Sequence, residues 1–292
     1  MKDYKISLVD MSDSKIDLKV RKLVNLAYQS DNLMEPFRIH KNISLEENKN
    51  KSIFLVAHIN NDFVGCNGFI GNKFFYNGNS FHCYQSCWSA THPSHQKKGI
   101  FVNIQQEAER ILRKMGAGMI FGLPNNNSRT IFINKLGFVE RSCDYLQIPN
   151  LPIPSSMIFQ QSYHDEYSSI RCDEKEVFLL KKRSGKDLHE FSVNSSYLWG
   201  KIVKKKKFGL NFNYFAIGGY RISNLDDLKE ILSKIRKMNI LYVELVSCKS
   251  NQGNSFFKNW RNSKGNNPFI FKFLNLNEIK DINIFLGTID VF

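Results

Sequence analysis

The chain has 292 residues, room for one large domain or two of ordinary size, and its 42% hydrophobic and 23% charged residues exclude global disorder. A formal charge of +14 favours acidic partners such as nucleic acid, an anionic membrane surface or a phosphate-rich small molecule, although a basic solvated surface with no partner would look the same. Six cysteines without a CxxC pair exclude a disulfide scaffold and a zinc site, and no apolar run approaches the roughly 20 residues that span a membrane.

The N-terminal "MKDYKISLVDMSDSK" lacks an apolar signal core, so a cytoplasmic chain with reduced, mostly buried thiols is expected. Residues 13–30 carry Ile16, Leu18, Val20, Leu23, Val24 and Ala27 as a helical stripe behind an Asp/Ser start. Residues 53–59, "IFLVAHI", predict a strand. The turn "NND" leads to a partner strand, "FVGCNGFIG", and the turn "YNGN" leads to the long strand "SFHCYQSCWSATH". A helix over about 99–115 follows, then a short buried strand in 117–125 stopped by Pro124, a helix over 128–138 closed by Gly137, and a strand over 139–148.

The proline-rich "PNLPIPSS" at 149–156 marks the domain boundary, dividing the chain into 1–150 and 163–292. Beyond it, 176–182 predicts a strand, 186–207 a segment helical in its first part, and 211–224 a strand. Residues 225–238 form a clear amphipathic helix, and 239–249 a strand. Residues 253–266 predict a short helix, and 268–275 and 282–292 the closing strands. Each half thus ends in strand, helix, strand, short helix, strand, the pattern of an internal repeat. The dense run Lys204–Lys207 predicts a solvated loop, with a phosphate, nucleotide or membrane-surface role as the alternative. Neither an arginine-rich tail nor an aromatic-basic RNA signature is present, so no specific nucleic-acid partner is expected.

The stretch most suggestive of chemistry is "SATHPSHQKKGIFVN", 89–103, where a strand passes through a basic glycine turn into a helix start. Such a turn offers unpaired N–H groups and the positive end of the helix dipole, a natural seat for a phosphate or pyrophosphate. Gly99 lets the backbone approach the anion, and Lys97 and Lys98 add charge. Neither G-x-x-x-x-G-K-[ST] nor G-x-G-x-x-G is present, so this is not a nucleotide-binding glycine loop.

Taken with their context, Thr91 and Pro93, Gln96 through Phe101, Asn125 and "FINKLGF" at 132–138 resemble the GNAT superfamily of acyl-CoA N-acyltransferases, over about residues 50–148. The resemblance implies an α+β fold: a mostly antiparallel twisted sheet flanked by helices, followed by a second, degenerate GNAT-like half that would wall an acceptor pocket. It implies acetyl-CoA as co-substrate, no metal, and a small amine acceptor that could be a nucleotide-linked amino sugar of surface polysaccharides. Peripheral membrane contact is left open, as is the oligomeric state. The pyrophosphate would lie on Gln96, Lys97, Lys98, Gly99, Ile100 and Phe101, with Ala90, Thr91, Asn125 and Ser128 as further contacts. The strand before the turn would pair with the pantetheine arm and polarise the thioester carbonyl.

The family's closing glycine or alanine is replaced here by Phe101, and the tyrosine that often protonates the thiolate by Ile133. Candidate catalytic residues are Gln85, Ser89 and His92, with His82 as a further base. Strand parity predicts Gln85, Cys87 and Ser89 on one face. A structural, hydrogen-bonded role competes for each histidine, and the base could instead come from Asp290, Glu244 or His189. The rival functions are an aminoacyl transferase resembling the Fem-type peptidoglycan enzymes and a non-catalytic binding protein on a decayed GNAT scaffold.

Overall fold

The computed structural model describes residues 3–29, 52–76, 79–141, 143–151, 171–172, 178–179, 182, 187–207, 209–248, 261–264 and 268–276. In chain order the first elements are β1 (Lys5–Leu8), α1 (Ser14–Tyr28), β2 (Ile53–Ile59), β3 (Asp62–Tyr76), β4 (Asn79–Thr91), α2 (Ile100–Lys114), β5 (Met119–Gly122), α3 (Asn126–Leu136), β6 (Val139–Arg141) and β7 (Cys143–Pro149). There follow β8 (Arg171–Cys172), β9 (His189–Val193), β10 (Ser196–Lys207), β11 (Leu210–Arg221), α4 (Leu225–Arg236), β12 (Tyr242–Cys248), β13 (Arg261–Lys264) and β14 (Phe269–Phe273). The α+β class expected from the sequence is the one observed.

The chain divides into two compact units. The first holds a sheet of order β1-β2-β3-β4-β5-β14-β6. α1 starts where the Asp13 side chain accepts from Lys15 N and ends on Gln29 in the left-handed region. It packs Val20, Leu23 and Val24 onto one face of the sheet with Val56 and Cys66. α2 and α3 cover the other face, where Leu55, Tyr84, Ile104, Leu112, Ile120 and Phe132 share one core. The second unit holds a sheet of order β13-β7-β12-β11-β10-β9, with Leu228, Ile231 and Ile235 of α4 buried against Leu198, Phe215 and Val243.

Each sheet takes an inner strand from the other half of the sequence. The predicted strand 139–148 is two strands: β6 stays in the first sheet, while β7 lies between β13 and β12 of the second. Conversely, 268–275 does not close the second repeat but forms β14 beside β5, pairing Ile270 with Gly122 and Phe273 with Met119. The four residues of β5 are all buried, so both of its edges need a partner, and β14 supplies the second. Side chains fasten it there: Lys272 Nζ donates to Glu109 Oε2 at 2.7 Å and to the Leu136 carbonyl at 2.8 Å, and Arg113 donates to the Leu274 carbonyl. The strands do not keep to the two sides of residue 150, since β14 belongs to the first sheet and β7 to the second.

Four other expectations change. The segment 186–207 is not helical at its start but a hairpin, β9 and β10, whose two-residue turn has Asn194 at φ 50°. Its period-two burial, with Val193 and Leu198 inside, was masked by helix-forming residues. Residues 178–179 and 182 are helical rather than extended, with Phe178 buried and Leu179 exposed. Residues 261–264 of the predicted helix 253–266 form β13, which satisfies the outer edge of β7, and the rest of that segment lies outside the described residues. Lys204–Lys207 belongs to β10 and is not a loop. The predicted strand 282–292 lies outside the described residues.

Candidate active site

The site grows out of β4. β5 runs parallel to it only through Cys83–Met119, Tyr84–Ile120 and Gln85–Phe121, and β5 ends at Gly122 while β4 continues to Thr91. The ladder ends at Gln85–Phe121, although Gly122 still lies against Ser86, whose carbonyl would be 3.3 Å from an added Cβ. Trp88 then takes φ 55°, a left-handed conformation inside a strand and the mark of a bulge. The bulge changes which face each side chain uses. Tyr84 packs under α2, whereas Trp88 and Ala90 both pack with the α1 cluster.

This overturns the expected shared face of Gln85, Cys87 and Ser89. The Ser89 hydroxyl donates to Asn67 Oδ1, and Asn67 Nδ2 in turn donates to Ser86 Oγ at 3.1 Å. Gln105 Nε2 of α2 donates to the same Ser86 oxygen at 2.9 Å. Ser89 therefore joins Ser86 on the α2 side, while Cys87 Sγ donates to the Gly68 carbonyl at 3.6 Å. Asn67 and Gln105 are almost fully buried, so this network is rigid and specifies the bulge. Tyr28 donates from the end of α1 to the Ser89 carbonyl at 3.0 Å, and burial, then Cys66 and Cys87, hold its hydroxyl above the usual tyrosine range. Burial pushes the Cys66 thiol up to about 12, which leaves it unreactive. None of Tyr28, Asn67, Ser86 and Gln105 was singled out in the sequence. They lie 19 to 61 residues from their partners, and no local spacing joins them.

After Thr91 the chain turns. His92 N donates to the Val64 carbonyl at 3.0 Å, and His92 Nδ1 caps the short 3-10 turn Pro93–His95 by accepting from Ser94 N at 3.2 Å. That use of Nδ1 makes His92 a structural cap and leaves only Nε2 for other work. The His95 ring lies 5.6 Å from that of His92, and desolvation, Lys98 and His92 lower its pKa.

Lys97 at φ 63° and Gly99 at φ 75° then fold the backbone so that α2 begins at Ile100. No acid occupies the first turn of α2, and the space above Gly99 is open, with Asn103 Nδ2 at 3.8 Å from an added Cβ as the nearest atom. Lys97 and Lys98 are exposed, whereas Ala90 and Ile100 are buried and offer the turn only their backbone. Phe101 packs edge-on against Phe132 at 5.3 Å. That contact accounts for an aromatic where the family pattern has a small residue. Asn125 caps α3, accepting from Ser128 N at 3.0 Å and from Ser128 Oγ at 3.0 Å, so both residues are tied into a helix start.

The other base candidates lie elsewhere. His82 stands nine residues before Thr91 on the same strand, about 30 Å away at the usual rise per residue. Glu244 is buried in the second unit and accepts from Gln147 Nε2 at 2.8 Å. His189 starts the edge strand β9, and Asp290 lies outside the described residues.

The second unit repeats the geometry without the vacancy. β11 runs parallel to β12 through Tyr214–Tyr242 to Ala216–Glu244, and its pairing with β10 slips so that Gly218 is unmatched. α4 follows, but Asp226 and Asp227 sit in its first turn. Asp227, 4% exposed, accepts from Ser196 Oγ and from Asn194 Nδ2 at 2.7 Å each. Its own N–H donates to the Asn224 side chain. Two carboxylates in the first turn, with Asn224 capping the Asp227 N–H, make this helix start unfavourable for an anion. Among the described residues no group of three or more His, Cys, Asp or Glu could hold a metal ion, and no helix is long and apolar enough to cross a membrane.

Comparison with known proteins gives the first part of the chain a domain family. The profile of the acetyltransferase (GNAT) domain matches residues 11–139. A GCN5-related N-acetyltransferase from Kribbella flavida aligns over 94% of this chain and 72% of its own, with 9% identity and a TM-score of 0.63. One from Anabaena variabilis aligns over 93% and 73%, with 10% identity and a TM-score of 0.59. Saccharomyces cerevisiae N-myristoyltransferase with bound myristoyl-CoA aligns over 97% and 85%, with 11% identity and a TM-score of 0.51. No curated protein matches the sequence. At such identities the structures speak for the fold alone, and the profile identifies residues 11–139 as a GNAT-type acetyltransferase domain.

Proposed function

We propose that the protein is an acetyl-CoA-dependent N-acetyltransferase whose pyrophosphate seat is the turn Gln96–Gly99 at the start of α2. The observation that carries this reading is the contrast between the two helix starts. α2 has a left-handed glycine cap, open space, two exposed lysines and no first-turn acid, whereas α4 is capped by the Asn224 side chain and carries two acids in its first turn. The N–H groups of such a turn bind anions, and the dipole adds to the attraction. The pantetheine arm would lie along β4 beyond Gln85, where β5 no longer pairs, with the bulge at Trp88 presenting backbone to the thioester.

In the reaction the amine nitrogen attacks the thioester carbonyl carbon and the C–S bond breaks. The amine gives up a proton and the departing thiolate gains one. The carbonyl oxygen takes up charge in the transition state and is stabilised by backbone N–H groups near Ser89–Thr91. No covalent enzyme intermediate is needed.

For the acceptor, the net charge of +14 favours an anionic molecule, and a nucleotide-linked amino sugar combines that charge with a primary amine. The test is release of free thiol from acetyl-CoA with a panel of amines: free amino sugars, nucleotide-linked amino sugars, polyamines and peptide N-termini. We expect turnover highest with the nucleotide-linked amino sugars. Turnover confined to the other amines would retire that acceptor, and no turnover with any amine would count against the transferase reading.

A further inference from the structure

The second unit contains a cleft that acetyl transfer does not use, with a volume of about 700 Å³, inside the usual range for small-molecule sites. It lies where β10 and β11 extend beyond the end of α4. Lys204, Lys205 and Lys206 line it together with the amides Asn211, Asn213 and Asn239. Phe212, Ile240 and Leu241 supply an apolar floor. No carboxylate lines it.

Strand register sorts these groups. Lys204 pairs with Asn213 and Lys206 with Asn211, so two amines and two amides point to the face that carries α4. Lys205 pairs with Phe212 on the opposite face, and its ammonium lies 5.8 Å from the centre of the Tyr214 ring, which stacks on Tyr242 at 4.9 Å. None of the three lysines has an ion pair with a described residue. Lys204 and Lys206 sit about 7 Å apart along one strand face, inside the Debye length of about 8 Å at physiological salt, so their repulsion is poorly screened. An anion bound between them would relieve it.

Lysines on an exposed strand guard against edge-to-edge pairing, and β9 pairs with β10 only as far as Gly200. That role explains charge. It does not explain a cleft that also offers three amides and an apolar floor. Amines for phosphate and amides for the polar edge of a base, with the apolar side chains Ile240 and Leu241 beside them, together describe one ligand class.

We propose that this cleft is a binding site for a nucleoside phosphate, separate from the turn at Gly99 and independent of the acetyl-transfer reading. The test is equilibrium dialysis of the full chain with UDP and with ATP, each in metal-free buffer containing saturating acetyl-CoA. Inorganic phosphate and vesicles of anionic phospholipid serve as parallel probes. The proposal expects saturable binding of one nucleotide per chain, weakened at least tenfold in Lys204→Ala/Lys206→Ala and also in Lys206→Gln, with unchanged melting temperature and unchanged affinity for acetyl-CoA.

Several results would overturn it. These are no saturable nucleotide binding, binding equal in wild type and both variants, or phosphate binding as tight as nucleotide binding. Vesicle binding that the variants abolish, without nucleotide binding, would make the face a membrane contact instead. Because the readout is nucleotide bound rather than acetyl transferred, failure here leaves the transferase reading standing, and the converse also holds.

Discussion

Gly99 and Asp227 answer the same physical situation in opposite ways. Each stands near a helix start that follows a bulged strand, where N–H groups lack helical partners. At Gly99 the solution is an open turn, and at Asp227 it is an internal carboxylate. Hydrogen bonds from Ser196, then from Asn194 and Asn224, outweigh burial and hold the Asp227 carboxyl below its ordinary value of 3.8. A folded-state pKa below the unfolded one adds stability that is present above the ordinary value and disappears as the pH falls through the depressed one. Asp227→Asn should therefore melt below wild type at pH 7, and the gap should close as the pH falls below 3.8. Melting temperature against pH checks this, and a gap independent of pH would mean that the charge is not the source. Gly99 could be picked out from the sequence because a basic turn before a helix is a local pattern. Asp227 could not, since Ser196 and Asn194 lie about 30 residues away.

At the scale of elements, α2 is positioned from behind by β3. A Cβ at Gly65 would collide with Ile100 Cγ2 and approach Ile104 Cδ1 to 3.2 Å. Ile100 is the first residue of α2, so Gly65→Ala should push the helix start, and the turn that feeds it, outward. Overpacking of this kind costs about 1–3 kcal/mol, and here affinity for acetyl-CoA should fall together with the melting temperature. Gly116→Ala is the matching control: it meets no atom within 4 Å and is strained only by φ +77°. It should cost about 1 kcal/mol of stability and leave the affinity alone.

Most of these elements could be predicted from the chain itself. The strand Ile53–Ile59, the helices α1, α2 and α4 and their caps follow from periodicity and end signals. The hairpin of β9 and β10 could not be, because its strand character comes from pairing across the turn rather than from local preference. The bulge at Trp88 was equally hidden, because Asn67 and Ser86 hold it through tertiary hydrogen bonds.

For the whole molecule, the repeat is real at the level of parallel β-α-β units, β4-α2-β5 and β11-α4-β12. Its strands do not stay in their own halves: β7 completes the second sheet and β14 the first. Which of several apolar strands fills a given edge is decided by competition among distant partners, so the sequence order misled at 139–148 and 268–275. On the proposed reading, two similar units share one chain, and among the described residues the first has an open helix start where the second carries first-turn acids. Calorimetric titration with acetyl-CoA tests this most directly, on wild type, Gly99→Glu and Lys204→Ala/Lys206→Ala. Saturable binding in wild type and in the lysine variant, lost at least a hundredfold in Gly99→Glu with a melting temperature lowered only by the roughly 1 kcal/mol that a side chain at φ +75° costs, is the predicted result. Undiminished binding in Gly99→Glu, or no binding to wild type at millimolar acetyl-CoA, would contradict it.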